Sequence, residues 1–153
     1  MNTKKTTIAI LACLMSLLTL VSCKKDDSSP NNNIRTTIQS NVQSGNWRIT
    51  KFIDSGTDET NFFTGYNFTF NSSGVLNANN GTNNYDGTWS ITDNNVSDDS
   101  QDDLDFNIIF NLTNNFQDLV NDWDFISQSS TKIELIDISG GNGGIDYLTF
   151  EKN

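Results

Sequence analysis

The chain runs to 153 residues, with 19 acids against 9 bases, a net charge of −10, two cysteines and no histidine at all. The missing imidazole excludes His-based triads, His metal ligands and the usual general base near neutral pH, and the acidity argues against nucleic acid as a partner. No cofactor motif and no orthodox nucleophile stand out, so binding or scaffolding is expected rather than catalysis.

Met1 to Thr7 form a basic segment with Lys4 and Lys5, and Ile8 to Val21 an apolar run of 14 residues. A membrane-spanning helix needs about 20, whereas this length suits the h-region of a signal peptide. The run ends in Leu20-Val21-Ser22-Cys23, which resembles the lipobox of bacterial lipoproteins. That resemblance implies removal of residues 1–22 and acylation of Cys23. Small side chains admit the peptidase, and only a thiol accepts the diacylglycerol thioether. The alternative is an ordinary signal peptide beside a chance cysteine. Cys13 leaves with the signal, so the mature chain is expected to hold neither a free thiol nor a disulfide. Its stability must then come from a packed core. One acyl chain binds a membrane marginally, and two or three hold it firmly.

Residues 23–43 read as the lipidated cysteine and a disordered tether: polar, with the chain's one proline at Pro30. Flexible-chain scaling gives the stretch from Lys24 to Val42 a mean reach of roughly 25 Å. Lys24, Lys25, Asp26 and Asp27 resemble the surface-export signal of Bacteroidetes lipoproteins, which implies display on the outer membrane's outer leaflet. The alternative is an arbitrary charged linker and a periplasm-facing domain. Within this stretch Ile34, Ile38 and Val42 recur at i, i+4 and i+8. A short helix with one apolar face could therefore cap the domain that follows.

From residue 44 onward the dominant period is two, broken by Asn, Gly and Asp clusters. Strands are expected over Asn46–Ile53, Thr64–Asn71 (alternating Tyr66, Phe68, Phe70), Val75–Asn79 and Tyr85–Thr92 (Tyr85, Gly87, Trp89, Ile91). Next comes the cleanest run, Leu104, Phe106, Ile108, Phe110 and Leu112, then a helical turn within Asn114–Asn121. The last three strands are Asp122–Ser127 with Trp123 and Phe125, Thr131–Ile138, and Ile145–Lys152. Strands spaced about ten residues apart with turn signals between them predict an antiparallel meander. Eight short strands must also cover their edges, so an all-β, up-and-down barrel over residues 44–153 is the expected architecture.

Gly45-Asn46-Trp47 is similar to the Gly-x-Trp that opens the first strand of lipocalins and related calycins. Tyr66-Asn67-Phe68-Thr69-Phe70-Asn71 and Gly87-Thr88-Trp89-Ser90-Ile91 extend the resemblance to bacterial lipocalin-like lipoprotein domains. It implies that Gly45 and Trp47 close the barrel floor. The cation that packs on this tryptophan in the family would here be Lys132 or Lys152.

Acids concentrate in one loop: Asp93, Asp98, Asp99, Asp102, Asp103 and Asp105. A solvated, self-repelling connection is expected there rather than a metal site, although Ca²⁺ takes oxygen ligands of this kind. Gly140-Gly141-Asn142-Gly143-Gly144 reads as a flexible hairpin loop. Without Lys4 and Lys5 the mature chain keeps seven bases against its 19 acids, a net charge of −12. Anionic headgroups should repel it, leaving the lipid as its only hold on the membrane. Two functions fit a monomeric barrel of this kind. It could be a cup for a small apolar or amphipathic ligand, lined by Phe68, Phe70, Trp89, Phe106, Trp123 and Phe125. Alternatively it is a filled barrel whose surface contacts an envelope protein or polysaccharide. Eight strands enclose just enough room for side chains or one small ligand.

Overall fold

The computed structural model describes residues 30–93, 104–138 and 144–153. The leader 1–22, Cys23, the run Lys24 to Asp27, Asp98, Asp99, Asp102 and Asp103, and Gly140 to Gly143 lie outside those residues.

Helix α1 covers Pro30–Gln43 and carries the expected apolar spacing of Ile34, Ile38 and Val42 within the stretch read as tether. Proline suits a helix start, where its missing N–H would find no partner anyway. Tertiary packing does the rest: Ile38 and Val42 are fully buried and Ile34 packs against them from the edge of the core. The helix stops at Ser44-Gly45, where Gly45 takes φ +105°, a region that side chains with a Cβ avoid. A Cβ there would also press on the Lys152 stem at 3.1 Å.

Strand β1 (Trp47–Asp54) leads into a two-residue strand β2 (Thr57–Asp58) and a 3-10 helix over Thr60–Phe63. Then follow β3 (Asn67–Phe70), β4 (Val75–Asn79), β5 (Asn84–Asp93) and β6 (Leu104–Ile109). A further 3-10 helix over Asn115–Leu119 precedes β7 (Asn121–Gln128), β8 (Lys132–Asp137) and β9 (Asp146–Lys152). Strand β1 pairs antiparallel with β3, each strand from β3 onward pairs antiparallel with the next, and β1 pairs with β9 to close the sheet. Leaving aside β2, which pairs only with the end of β1, the described residues form a closed eight-stranded, all-β meander with one α-helix.

Closure is uneven. The β1–β9 ladder runs from Trp47↔Lys152 to Ile53↔Tyr147 with a bulge between Ile49 and Lys51, whereas β1 meets β3 in the single pair Trp47↔Phe68. Past that pair the 3-10 helix takes over: Phe52 N–H donates to Thr60 Oγ1, and Glu59 N–H donates to the Phe52 carbonyl.

Alternation sorts the side chains as antiparallel pleating requires. In β6, Leu104, Phe106 and Ile108 point inward while Asp105, Asn107 and Ile109 point out. Phe110 continues the buried row past the end of the strand, and Leu112 is half-buried. Gly87 on β5 marks a close approach. A Cβ there would collide with the Ile109 carbonyl and with the Phe110 ring at 2.7 Å, so only glycine lets β5 and β6 lie together at that point.

Candidate functional site

The barrel interior is the first candidate, because six aromatics were expected to line it. Phe68, Phe70, Trp89, Phe106, Trp123 and Phe125 do converge there, none more than 6% exposed. They converge on each other. Phe70 meets Trp89, Phe106 and Phe150 at centroid distances of 5.4, 5.5 and 5.5 Å. Phe68 meets Phe150 at 5.4 Å, Phe125 meets Phe106 at 5.6 Å, and Trp123 meets Phe52 at 6.4 Å. Most of these pairs are edge-to-face, the arrangement the ring quadrupoles favour.

Rings absent from the expected set extend this network toward the mouth. Phe52 and Phe63 meet at 5.4 Å, and Phe63 meets Phe116 at the same distance. Phe116 is the hub: Tyr66, Phe68, Tyr85 and Phe110 also surround it, at 5.0, 6.1, 4.9 and 5.1 Å. Phe63 and Phe116 both sit on the 3-10 helices at the mouth, the end away from Trp47. Asn114 caps the second of these by accepting from Phe116 N–H at 3.1 Å.

Each tryptophan pins a segment outside the strands to the barrel through its indole N–H. Trp47 donates to the Val42 carbonyl of α1 at 2.8 Å, Trp89 to Asn71 in the β3–β4 turn at 3.0 Å, and Trp123 to Leu119 at 3.2 Å. At the floor, Lys152 is the cation over Trp47, with Nζ 5.2 Å from the ring centroid. The same ammonium donates to Ser44 Oγ at 2.9 Å and to the Ser130 carbonyl at 2.8 Å, tying two turns together. Lys132 instead pairs with Glu134 at 2.6 Å.

The mouth carries acid. Burial first, and then repulsion from Asp54, pushes the Asp118 carboxyl above its usual range. Glu59 is raised by burial, then by Asp118 and Asp54. A raised carboxyl keeps its proton in the fold while the unfolded chain releases it, so stability falls as pH climbs from the ordinary carboxylate value through the raised one. Asp118→Asn with Glu59→Gln should therefore gain stability over the parent at neutral pH and lose that lead below about pH 4. Urea midpoints measured across pH check this, and a lead that does not change with pH would contradict it.

On the outer face, Asp105 stands directly opposite Asp124, with Asp122 and Asp137 close by around a hollow of about 250 Å³. Asp124 is raised by burial, then by Asp137 and Asp122. Among the described residues, no group of His, Cys, Asp and Glu side chains has the geometry to hold a metal ion, and no helix is long and apolar enough to cross a membrane.

Compared with known families and curated proteins, the chain matches none. Among solved structures it is similar to a DUF4847 family protein from Bacteroides vulgatus ATCC 8482, with a TM-score of 0.50 and 17% identity. The match covers 76% of this chain and 97% of that one. At this identity the likeness bears on the fold alone.

Proposed function

We propose that this chain is a lipoprotein anchored to the outer membrane at Cys23 and displayed on the cell surface, and that its barrel is a filled scaffold acting through its outer face on another envelope component. The observation that carries the scaffold reading is the ring network: Phe68, Phe70, Trp89, Phe106, Trp123 and Phe125 pack on one another and on Phe52 and Phe150, and Phe116 packs over Phe68 at the mouth. A small apolar ligand would have to expel one of these rings first. The anchor reading is supported by the lipobox-like Leu20-Val21-Ser22-Cys23 and by Lys24-Lys25-Asp26-Asp27 after it. Six residues separate Cys23 from Pro30, and fully extended they span about 20 Å. Since α1 packs at the floor through Val42 and Trp47, a link that short turns the floor toward the lipid and the mouth away.

Both halves are tested on the full chain. In its own host, Cys23→Ala should stop palmitate incorporation, and label that persists in the variant rejects the anchor. Protease added to intact cells should digest the parent, whereas protection would place the domain on the periplasmic side. A fluorescent fatty acid titrated into the purified protein should show no saturable uptake. Stoichiometric uptake quenched by the interior tryptophans would restore the ligand-cup reading.

A further inference from the structure

Single exposed apolar side chains are ordinary, but contiguous ones mark contact surfaces. Register places several of them side by side here. On the outer face Val75 pairs with Thr88 and Thr88 with Ile109. Val75, Ile109 and Val120 are 37%, 55% and 38% exposed. Register sets Val75 and Ile109 on either side of Thr88, and Val120, at the end of the second 3-10 helix, lies just beyond the last β6–β7 pair, Ile108↔Asn121. Hollows of about 300 and 370 Å³ lie on either side of this row, both bounded by Thr88 and Ile109.

The rows flanking this stripe are polar and acidic. Asn77 and Asp86 pair on one side, and Ser90, Asn107 and Asp122 on the other, with Asp105 and Asp124 one row beyond. The Asn77 amide donates to Asp86 at 2.7 Å and to Asn84 at 2.9 Å, which holds that edge in place. Among the described residues, no lysine or arginine forms an ion pair with Asp86, Asp122 or Asp124. Every base among the described residues, Arg35, Arg48, Lys51, Lys132 and Lys152, lies on α1, β1, β8 or β9.

We infer that the Val75–Thr88–Ile109–Val120 row is a docking surface for an amphipathic helix of another polypeptide, apolar along one stripe and lined with lysine or arginine on both sides. Dimensions and charge argue for that occupant. Strands lie about 4.8 Å apart, so the row is about 14 Å long, the rise of roughly ten helical residues. Carboxylates two residues along a strand stand about 7 Å to either side, close to the half-width of a helix with its side chains. A second copy of this face would set Asp86 and Asp122 against carboxylates of the same kind, and an anionic lipid surface would be repelled likewise. Stable interfaces bury about 800 Å² on each partner. A footprint about 14 Å on a side offers far less, so the contact is transient and weakens with salt.

This inference rests on the filled-scaffold reading and names its partner. The probe is a 12-residue helical peptide with leucines at i, i+3, i+4 and i+7 and lysines beside them, titrated into the full chain. Val75→Ser with Ile109→Ser should weaken binding on the order of tenfold, Asp86→Asn with Asp122→Asn should flatten its salt dependence, and Ile126→Ser on β7 should change nothing. Equal loss from Ile126→Ser means the peptide binds apolar surface without preference, no loss from the Val75 and Ile109 pair means charge alone attracts it, and either result overturns the site. In the native host a photocrosslinker replacing Ile109 should join a polypeptide bearing such a helix. An adduct only with a second copy, or only from a crosslinker at Ile138, overturns this face while leaving a surface-acting scaffold standing. Saturable fatty-acid uptake would strike the scaffold reading instead.

Discussion

Replacing Phe116 by alanine should cost the fold on the order of 3–5 kcal/mol, the range for deleting a large buried aromatic, and should turn a filled barrel into a hollow one. The ring is 3% exposed and meets Phe63, Tyr66, Phe68, Tyr85 and Phe110 within about 6 Å. Phe68 and Tyr85 sit on strands of the closed sheet, Tyr66 and Phe110 stand directly beside β3 and β6, and Phe63 lies on the 3-10 helix before β3, so they have little freedom to collapse into the gap. The void would be apolar on every side, the kind that stays dry and admits a benzene-sized molecule. Denaturant midpoints with and without benzene measure both effects at once. A variant within about 1 kcal/mol of the parent, with no stabilisation by benzene, would mean that Phe116 does not fill the mouth. The experiment also separates the two functional readings. If the native barrel took ligand by expelling Phe116, the alanine variant should bind a fatty-acid probe more tightly than the parent. In a scaffold filled by its own side chains, only the variant binds it.

Why the sequence places Phe116 in a helical turn without marking it as core, while Phe106 is plain, is a matter of where each lies. Phe106 stands between Leu104 and Ile108 on a strand whose inward and outward faces alternate strictly, and such a period survives any choice of neighbour. Phe63 and Phe116 lie on short 3-10 helices. There, burial is set by the gap left when the barrel closes, and no local period records it. The same gap decides whether Phe68 and Phe70 line a cavity or a core, so six aromatics were legible as inward-facing without revealing what lay between them. Residues 30–43 show composition failing in the other direction. Their Thr, Ser and Asn content suggests a tether, yet burial of Ile38 and Val42 and the hydrogen bond from Trp47 hold a helix there. The i, i+4, i+8 spacing was the better guide. The outer row from Val75 to Ile109 needed exact register across three strands, which depends on turn lengths and pairing that one-dimensional alternation does not supply.

The floor should prove as dependent on one residue as the mouth. Trp47→Ala is expected to cost about 3–5 kcal/mol, a large share of the 5–15 kcal/mol that ordinarily holds a domain together. Trp47 is fully buried and makes the one pair that joins β1 to β3. Its indole donates to Val42, and Lys152 lies across its face. Alanine would remove the packing that seats α1 and leave the Val42 carbonyl without the donor it now has, a penalty of about 1–3 kcal/mol for a buried acceptor. Trp47→Phe separates these contributions: it keeps most of the bulk and drops only the N–H, so its cost should fall near that smaller figure. Because α1 is held through this contact, the alanine variant should also lose helical circular dichroism and become open to protease at Ser44-Gly45 before the barrel unfolds. A melting temperature unchanged from the parent would remove Trp47 from the floor's support. Equal losses for Trp47→Phe and Trp47→Ala would show that the hydrogen bond to α1, rather than the volume of the ring, holds the floor shut.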